Sequence, residues 1–379
     1  MKWEARKIGS IFTIIRNGAS IKQTEGHQGI PITRIETISA GYIDSSKFGY
    51  ANVEKGEYDH YFLRKGDILM SHINSWKHLG KTAIVKEDSE VIHGMNLLML
   101  RPDSRVLYPD FVKYYFSTKE FKTQLNRISN QSVNQASFSV TNLKKLIIPI
   151  PPIETQKQIA DILDKADALR RNDQELLQKY DELAQAVFYE MFGDPVKNEK
   201  GWNKKVLGKL LCIETKSVKP ENTVGKHYIG LENIEKETGE VTISKEVDLK
   251  SNKFLFDSDC ILYGKLRPYL KKVATPDFNG VCSTDIFPIR CLALDKVFAL
   301  TILRTQHFTD YATSSSVGAN LPRVNKDVIL SYETICPPLD LQNNFAKKTY
   351  QIRKMSSLVK KSIDAVNTLQ SALFKKYFS

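Results

Sequence analysis

Residues 154–192 and 340–378 contain neither proline nor glycine, and their apolar residues recur at alternating three- and four-residue steps. In the first stretch Ile159, Ile162, Ala166, Leu169, Leu176, Tyr180, Leu183 and Val187 carry the pattern. In the second, Phe345, Ile352, Met355, Val359, Val366, Leu369 and Leu373 repeat it in an equivalent register. This spacing predicts two long helices, each with a narrow heptad seam interrupted by Asp173 and Glu190 in one and by Lys348, Ser362 and Lys376 in the other. Two matching seams in one chain predict an antiparallel helical pair; the plainer alternative is that each helix packs only on its own domain. Ahead of the first helix the pattern changes. Short β-rich runs at 66–70, 82–86 and 97–100 alternate with turn signals, a helical run covers 108–128, a polar segment covers 129–139, and a strand is expected over 146–150. That part reads as α+β.

The chain is written twice. Trp3 with Ile8-Gly9 matches Trp202 with Leu207-Gly208, the segment around Ile32, Arg34 and Glu36 resembles that around Tyr228 and Glu232, and Gly66-Asp67 lines up with Asp259-Cys260. Pro151-Pro152-Ile-Glu-Thr-Gln156 matches Pro337-Pro338-Leu-Asp-Leu-Gln342. Four matches in the same order predict duplication followed by divergence, hence two similar domains rather than a solenoid of short units. The expected layout is a domain over 1–151, a long helix over 152–193, a second domain over 194–336 and a second long helix over 337–379.

Composition narrows the function. Among 379 residues, 55 Lys and Arg stand against 43 Asp and Glu, a net charge of +12 that favours a polyanionic partner. The apolar stretch at 8–15 is too short for a signal peptide and ends at Arg16, and no apolar run reaches the roughly 18 residues of a membrane span. Five cysteines without paired spacing read as free thiols in a reducing compartment, so a cytoplasmic location is expected.

A search for catalytic chemistry returns nothing that can be assembled. Gly80-Lys81-Thr82 lacks the upstream glycine of a phosphate-binding loop, Ser75 standing in its place. Asp110, Glu120 and Lys122 have the residue types of a nuclease site but fall in the helical run at 108–128 rather than on adjacent strands. The seven histidines have no zinc-ligand spacing. Base edges are read by Arg, Asn and Gln, and phosphates are held by Lys and Arg. Four turn-like segments combine these types. In the first repeat they supply Asn74, Trp76, Lys77, His78 and Lys81, then Asn130, Gln131, Asn134 and Gln135. In the second they supply Lys265, Arg267, Tyr269, Lys271 and Lys272, then Asn320 and Arg323. Together with Arg34 these are the candidate DNA-binding residues. The segments occupy corresponding places yet differ in residues, as expected of two domains of one fold reading different sequences.

The duplicated layout, and a repeat that ends in a strand, Pro-Pro-Ile/Leu-Glu/Asp-x-Gln and a long helix, resembles the specificity subunit of Type I restriction–modification systems over essentially the whole chain. Residues 150–167 are similar to that family's central conserved region; the second copy lacks the Leu-Asp-Lys-Ala-Asp run of residues 163–167. The resemblance implies two target recognition domains separated by antiparallel conserved helices, with no catalytic activity in this chain. It implies double-stranded DNA, two methyltransferase subunits and, through them, motor-nuclease subunits as partners. S-adenosylmethionine, ATP and magnesium would then belong to those partners. Pro151, Pro152, Glu154, Gln156, Pro337, Pro338 and Gln342 are the partner-binding residues it points to. Each domain would read half of a bipartite, asymmetric site. Helices of about 39 residues, roughly 58 Å long, would set an unread spacer of roughly five to eight base pairs. The competing readings are a protein adaptor built on the helical pair and a divergent DNA nuclease or methyltransferase.

Overall fold

The proline-free stretches form two helices of 40 residues each, Ile153–Phe192 and Leu339–Phe378. Each begins directly after a Pro-Pro pair, where a missing backbone N–H costs little. The first ends at Gly193, whose φ of +74° closes the last turn by an N–H donated to the Tyr189 carbonyl at 2.8 Å. The computed structural model describes residues 3–24, 26–54, 56–132, 135–243, 249–318 and 320–378. It divides into two compact units, Met1–Gln174 with Lys361–Ser379, and Glu175–Lys360, so each unit takes part of both long helices.

In the first unit, antiparallel strands lie in the spatial order Phe12–Asn17, Leu97–Pro102, Ile68–Ser71, Thr82–Ile84. Side chains alternate between two cores, as the period of a strand requires. Ile68, Met70, Leu98 and Leu100 face the helices Pro109–Ser117 and Lys119–Ile128, and Leu69, Leu97 and Met99 face Ile38, Leu63 and Val91. The helical run expected over 108–128 is thus two helices. Thr118 is extended, and its side chain accepts from the Phe121 N–H, which starts a new helix instead of continuing the old one. A second sheet orders Gly49–Ala51, Ile30–Ile32, Ser89–Ile92 and Phe62–Leu63.

The second unit repeats this plan. Its central sheet runs Leu211–Ile213, Ile286–Cys291, Ile261–Gly264, Val273–Ala274, under helices Lys296–Arg304 and Gln306–Ser314 that are again parted at a capping threonine, Thr305. In its second sheet Lys253–Phe256, Gly280–Cys282 and His227–Ile229 repeat the three strands at 62–63, 89–92 and 30–32, including the parallel pair. The fourth strand has moved to the opposite edge: Gly49–Ala51 flanks Ile30–Ile32, whereas Ser217–Val218 flanks Lys253–Phe256.

Each domain is closed by pairing its start with its end. Glu4–Lys7 pairs with Ile147–Ile150, and Lys204–Val206 with Glu333–Ile335, immediately before the Pro-Pro pairs. The repeated tryptophans cap the long helices. Trp202 Nε1 donates to the Phe192 carbonyl at 2.8 Å and Trp3 Nε1 to the Tyr377 carbonyl at 3.3 Å.

Within the first unit the two long helices run antiparallel: Ile159 and Leu163 share a core with Phe378, while Gln370 meets Asp167 and Arg170. In the second unit Phe188 and Phe192 pack on Phe345 at ring separations of 5.6 and 5.4 Å. The heptad period is as expected, but the seam needs correction. Ile159, Ala166 and Asp173 turn inward, whereas Ile162, Leu169, Leu176 and Leu183 are 39, 47, 37 and 45% exposed, and Met355 and Leu369 are 49 and 52% exposed. Periodicity groups residues into stripes without saying which of two neighbouring stripes faces in. Ala160, Leu163 and Phe188, outside the expected seam, fill the contact because the domain helices lie on that side. Among the described residues no helix is long and apolar enough to cross a membrane.

This register is testable. Phe345→Ala should destabilise the protein by roughly 3–5 kcal/mol in urea unfolding. Leu176→Ala should stay within about 0.5 kcal/mol of wild type, and a comparable loss there would refute the corrected seam.

Candidate nucleic-acid interface

Beyond the end of strand Ile68–Ser71, residues Ile73–Asn74 pair with Ala136–Ser137, which pairs in turn with Asn130–Gln131. Two of the sequence-predicted segments are thereby joined into one small ribbon. Trp76–His78 form a turn beside it, with Trp76 and Lys77 exposed and His78 half-buried. Asn130, Gln131 and Gln135 are exposed at the far end, where Ser132 donates from its amide (2.8 Å) and its hydroxyl (2.9 Å) to the Gln135 carbonyl. Asn134 lies outside the described residues. Other candidates are committed within the fold. Asn74 donates to Ser71 Oγ at 3.1 Å and accepts from the Ser75 N–H at 2.8 Å. Lys81 Nζ donates to the Ser39 carbonyl at 2.7 Å. Arg34 follows the strand Ile30–Ile32, away from the ribbon in the chain, and its Nε donates to Gln23 at 2.5 Å.

The second unit builds the same ribbon from the other two segments. Leu266 bridges Arg323, and Arg323 bridges Val317. The Arg267 N–H donates to the Pro322 carbonyl at 2.8 Å and the Val324 N–H to the Lys265 carbonyl at 3.0 Å. Arg267 (φ +51°) and Lys271 (φ +48°) bracket the turn Pro268–Leu270 in the left-handed region, a strain of about 1 kcal/mol or more each, of the kind that gathers at functional sites. The turn leaves Arg267 and Tyr269 exposed, and Arg267 has no side-chain partner among the described residues. Lys265 is half-buried, 4.0 Å from the Phe287 ring centre, with Nζ donating to the Thr284 carbonyl at 2.5 Å, and burial holds its pKa below the ordinary lysine range. Lys272 donates to the Leu231 carbonyl at 2.6 Å, Lys271 to Gln306 at 2.8 Å and Arg323 to Asp285 at 2.8 Å. Asn320 is exposed at the tip. Sequence reasoning passed over Val317 and Leu321, apolar residues standing 68 and 55% exposed in an otherwise polar loop. That contrast was the available signal.

The residues expected to bind partners divide sharply. Pro152, Glu154 and Pro338 are exposed, and Glu154 pairs with Lys157 at 2.8 Å. Gln156 and Gln342 are 0 and 1% exposed and are internal ties, which corrects their assignment as partner contacts. Gln156 Nε2 donates to the Val106 and Pro151 carbonyls, both at 2.8 Å, while its Oε1 accepts from the Tyr108 N–H at 2.9 Å. Gln342 donates to the Pro337 carbonyl at 2.8 Å and accepts from the Asp295 N–H at 2.9 Å. Pro151 and Pro337, whose carbonyls take part, are buried. No group of three or more His, Cys, Asp or Glu among the described residues is placed to hold a metal ion.

Residues 1–181 match the family model described as the Type I restriction modification DNA specificity domain. The chain is 39% identical over 210 residues to a putative type I restriction enzyme MjaX specificity subunit of Methanocaldococcus jannaschii, a stretch covering 55% of this chain and 49% of that relative. It is 24% identical over 418 residues to the MjaIX specificity subunit of the same organism, covering 99% of this chain and 92% of that relative. Over these stretches the chain is similar to type I restriction–modification specificity subunits. Its match to the MjaX subunit spans about half of that relative's length. The fold is shared with the crystal structure of a type I S subunit from M. genitalium, with a TM-score of 0.64 at 16% identity over 100% of this chain and 96% of that one.

The glutamine ties make a sharp prediction. Gln156→Ala should cost roughly 1–3 kcal/mol in urea unfolding, since buried backbone groups lose their partner. Glu154→Ala should leave stability within about 0.5 kcal/mol of wild type. The reverse order would restore Gln156 as a surface contact.

Proposed function

We propose that this chain is the DNA sequence-recognition subunit of a type I restriction–modification complex and performs no catalysis of its own. Each unit reads one half of a bipartite, asymmetric double-stranded site through its ribbon and the adjoining turn. The observation that carries this is the recurrence of one ribbon at the same place in both units, built on the same strand and bearing different tip residues. Net charge of +12 suits the DNA partner. The long helices set the unread spacer, roughly five to eight base pairs, and dock two methyltransferase subunits, through which motor-nuclease subunits join. S-adenosylmethionine, ATP and magnesium are held by those partners. The proposed place of action is the cytoplasm. The four-part division at residues 151, 193 and 336 separates the reading domains from the helices on this account.

Exposure along the first helix supports the docking role. Ile162, Leu169, Leu176 and Leu183 stand one heptad apart on one side of it, and Pro152 and Glu154 are exposed at its start.

Co-expression with the cognate methyltransferase subunit in a methylation-free host should yield a bipartite methylated motif with a fixed gap, lost when this chain is omitted. Exchanging residues 1–150 for those of a type I specificity subunit should change one half of the motif only. A site without two separated halves would overturn the proposal. Leu176→Glu with Leu183→Glu should abolish co-purification of the methyltransferase while leaving this chain folded by circular dichroism. Undiminished co-purification would remove the helix stripe as the docking face.

A further inference from the structure

The two ribbons share a scaffold but not a surface. Gln131 pairs with Ala136 in the first unit where Val317 bridges Arg323 in the second. The first tip ends in exposed amides, Gln131 and Gln135, which can both donate to and accept from base edges. The second has one exposed amide, Asn320, set between apolar side chains, Val317 and Leu321, 68 and 55% exposed. We propose that Val317 and Leu321 are the residues by which the second unit recognises thymine, by covering C5-methyl groups in the major groove. This rests on the proposed DNA-reading role.

Three observations point there. The tip is held out. Val317 and Arg323 exchange both backbone hydrogen bonds (3.1 and 3.0 Å), Arg323 is pinned to Asp285, and Gly318 adopts a φ of +104° that other residues rarely take. Among the described residues of this loop, Val317 and Leu321 are left in solvent. Cations flank it: Arg267 without a side-chain partner among the described residues, and Arg323 with its side chain 53% exposed. An apolar tip between guanidinium groups fits a polyanion that presents apolar groups. The thymine methyl is the apolar group that base pairs display in the major groove, and that groove admits a two-stranded ribbon. Apolar side chains that cover methyls separate T from C, whose C5 carries only hydrogen, without needing a hydrogen bond to the base.

The test uses the full chain in complex with its methyltransferase subunits on duplexes carrying the mapped site. Thymines of the half-site read by the second unit are replaced one at a time by deoxyuridine, which removes the methyl and leaves pairing unchanged. Affinity should fall about fourfold for each methyl that the tip covers. The Val317→Ser, Leu321→Ser variant should bind the thymine and deoxyuridine duplexes equally, while still distinguishing the other half-site from random sequence. Equal wild-type affinity for thymine and deoxyuridine, a half-site built only of G·C pairs, or full discrimination retained by the double variant would each overturn the proposal. Loss of a deoxyuridine effect accompanied by strong DNA bending would point instead to an apolar wedge between base steps. A complex that favours no duplex over random DNA would refute the DNA-reading role itself, and is told apart from the other failures by the absence of any specific site.

Discussion

A buried primary amide governs how each long helix leaves its domain. At the first turn after the Pro-Pro pair, Gln156 and Gln342 each tie the helix start to the residue preceding a domain helix, Tyr108 in one unit and Asp295 in the other. A neutral amide suits that place because it donates and accepts at once. A carboxylate would only accept and would bring a charge into a buried site. With the helix angle fixed there, and the closing strand pair just before it, each domain and its helix segment behave as one piece. The glutamines that stand at matching places in the two repeats thus serve the folding of each unit.

The duplication tolerates change where the physics can be balanced in another way. In the first unit Arg101 forms a two-pronged pair with Asp67, which is 1% exposed, at 2.7 Å for both contacts. At Asp67's place the second unit has Cys260, whose thiol burial pushes up to about 11, so it stays neutral. Arg290, the counterpart of Arg101 on the central strand, turns instead to Glu214 at 2.6 Å and to Asp257. The guanidinium keeps a carboxylate partner although the position supplying it has moved. The fourth strand of the outer sheet changed edges in the same manner, leaving the central three strands undisturbed.

Much of this was legible in the sequence for identifiable reasons. The absence of proline and glycine over 154–192 and 340–378 defined both long helices to within a residue or two, because nothing in those stretches stops a helix. The paired tryptophans and Pro-Pro motifs disclosed the duplication because each makes a specific contact at an element's end. The helix register was not legible. Leu169 and Leu176 have the same hydropathy whether they face a neighbour or solvent, and only the tertiary arrangement of the domain helices decides. The break at Thr118 was equally hidden, since a threonine inside a helical pattern reads as a tolerated residue until its side chain is seen capping Phe121. The candidate DNA-contact segments were chosen on composition, which showed neither their pairing into ribbons nor the commitment of individual side chains within the fold.

Those commitments bear on ionic strength. Lys81, Lys265 and Lys272 spend their ammonium groups on main-chain carbonyls, and Arg323 is already matched to Asp285. Each phosphate that a protein neutralises contributes about −0.9 to the slope of log affinity against log salt concentration on duplex DNA. The net charge of +12 is therefore no count of the phosphates that these particular side chains are free to meet. The proposed interface would owe more of its affinity to shape and base-edge contacts, and less to the phosphate backbone, than the bare charge count suggests.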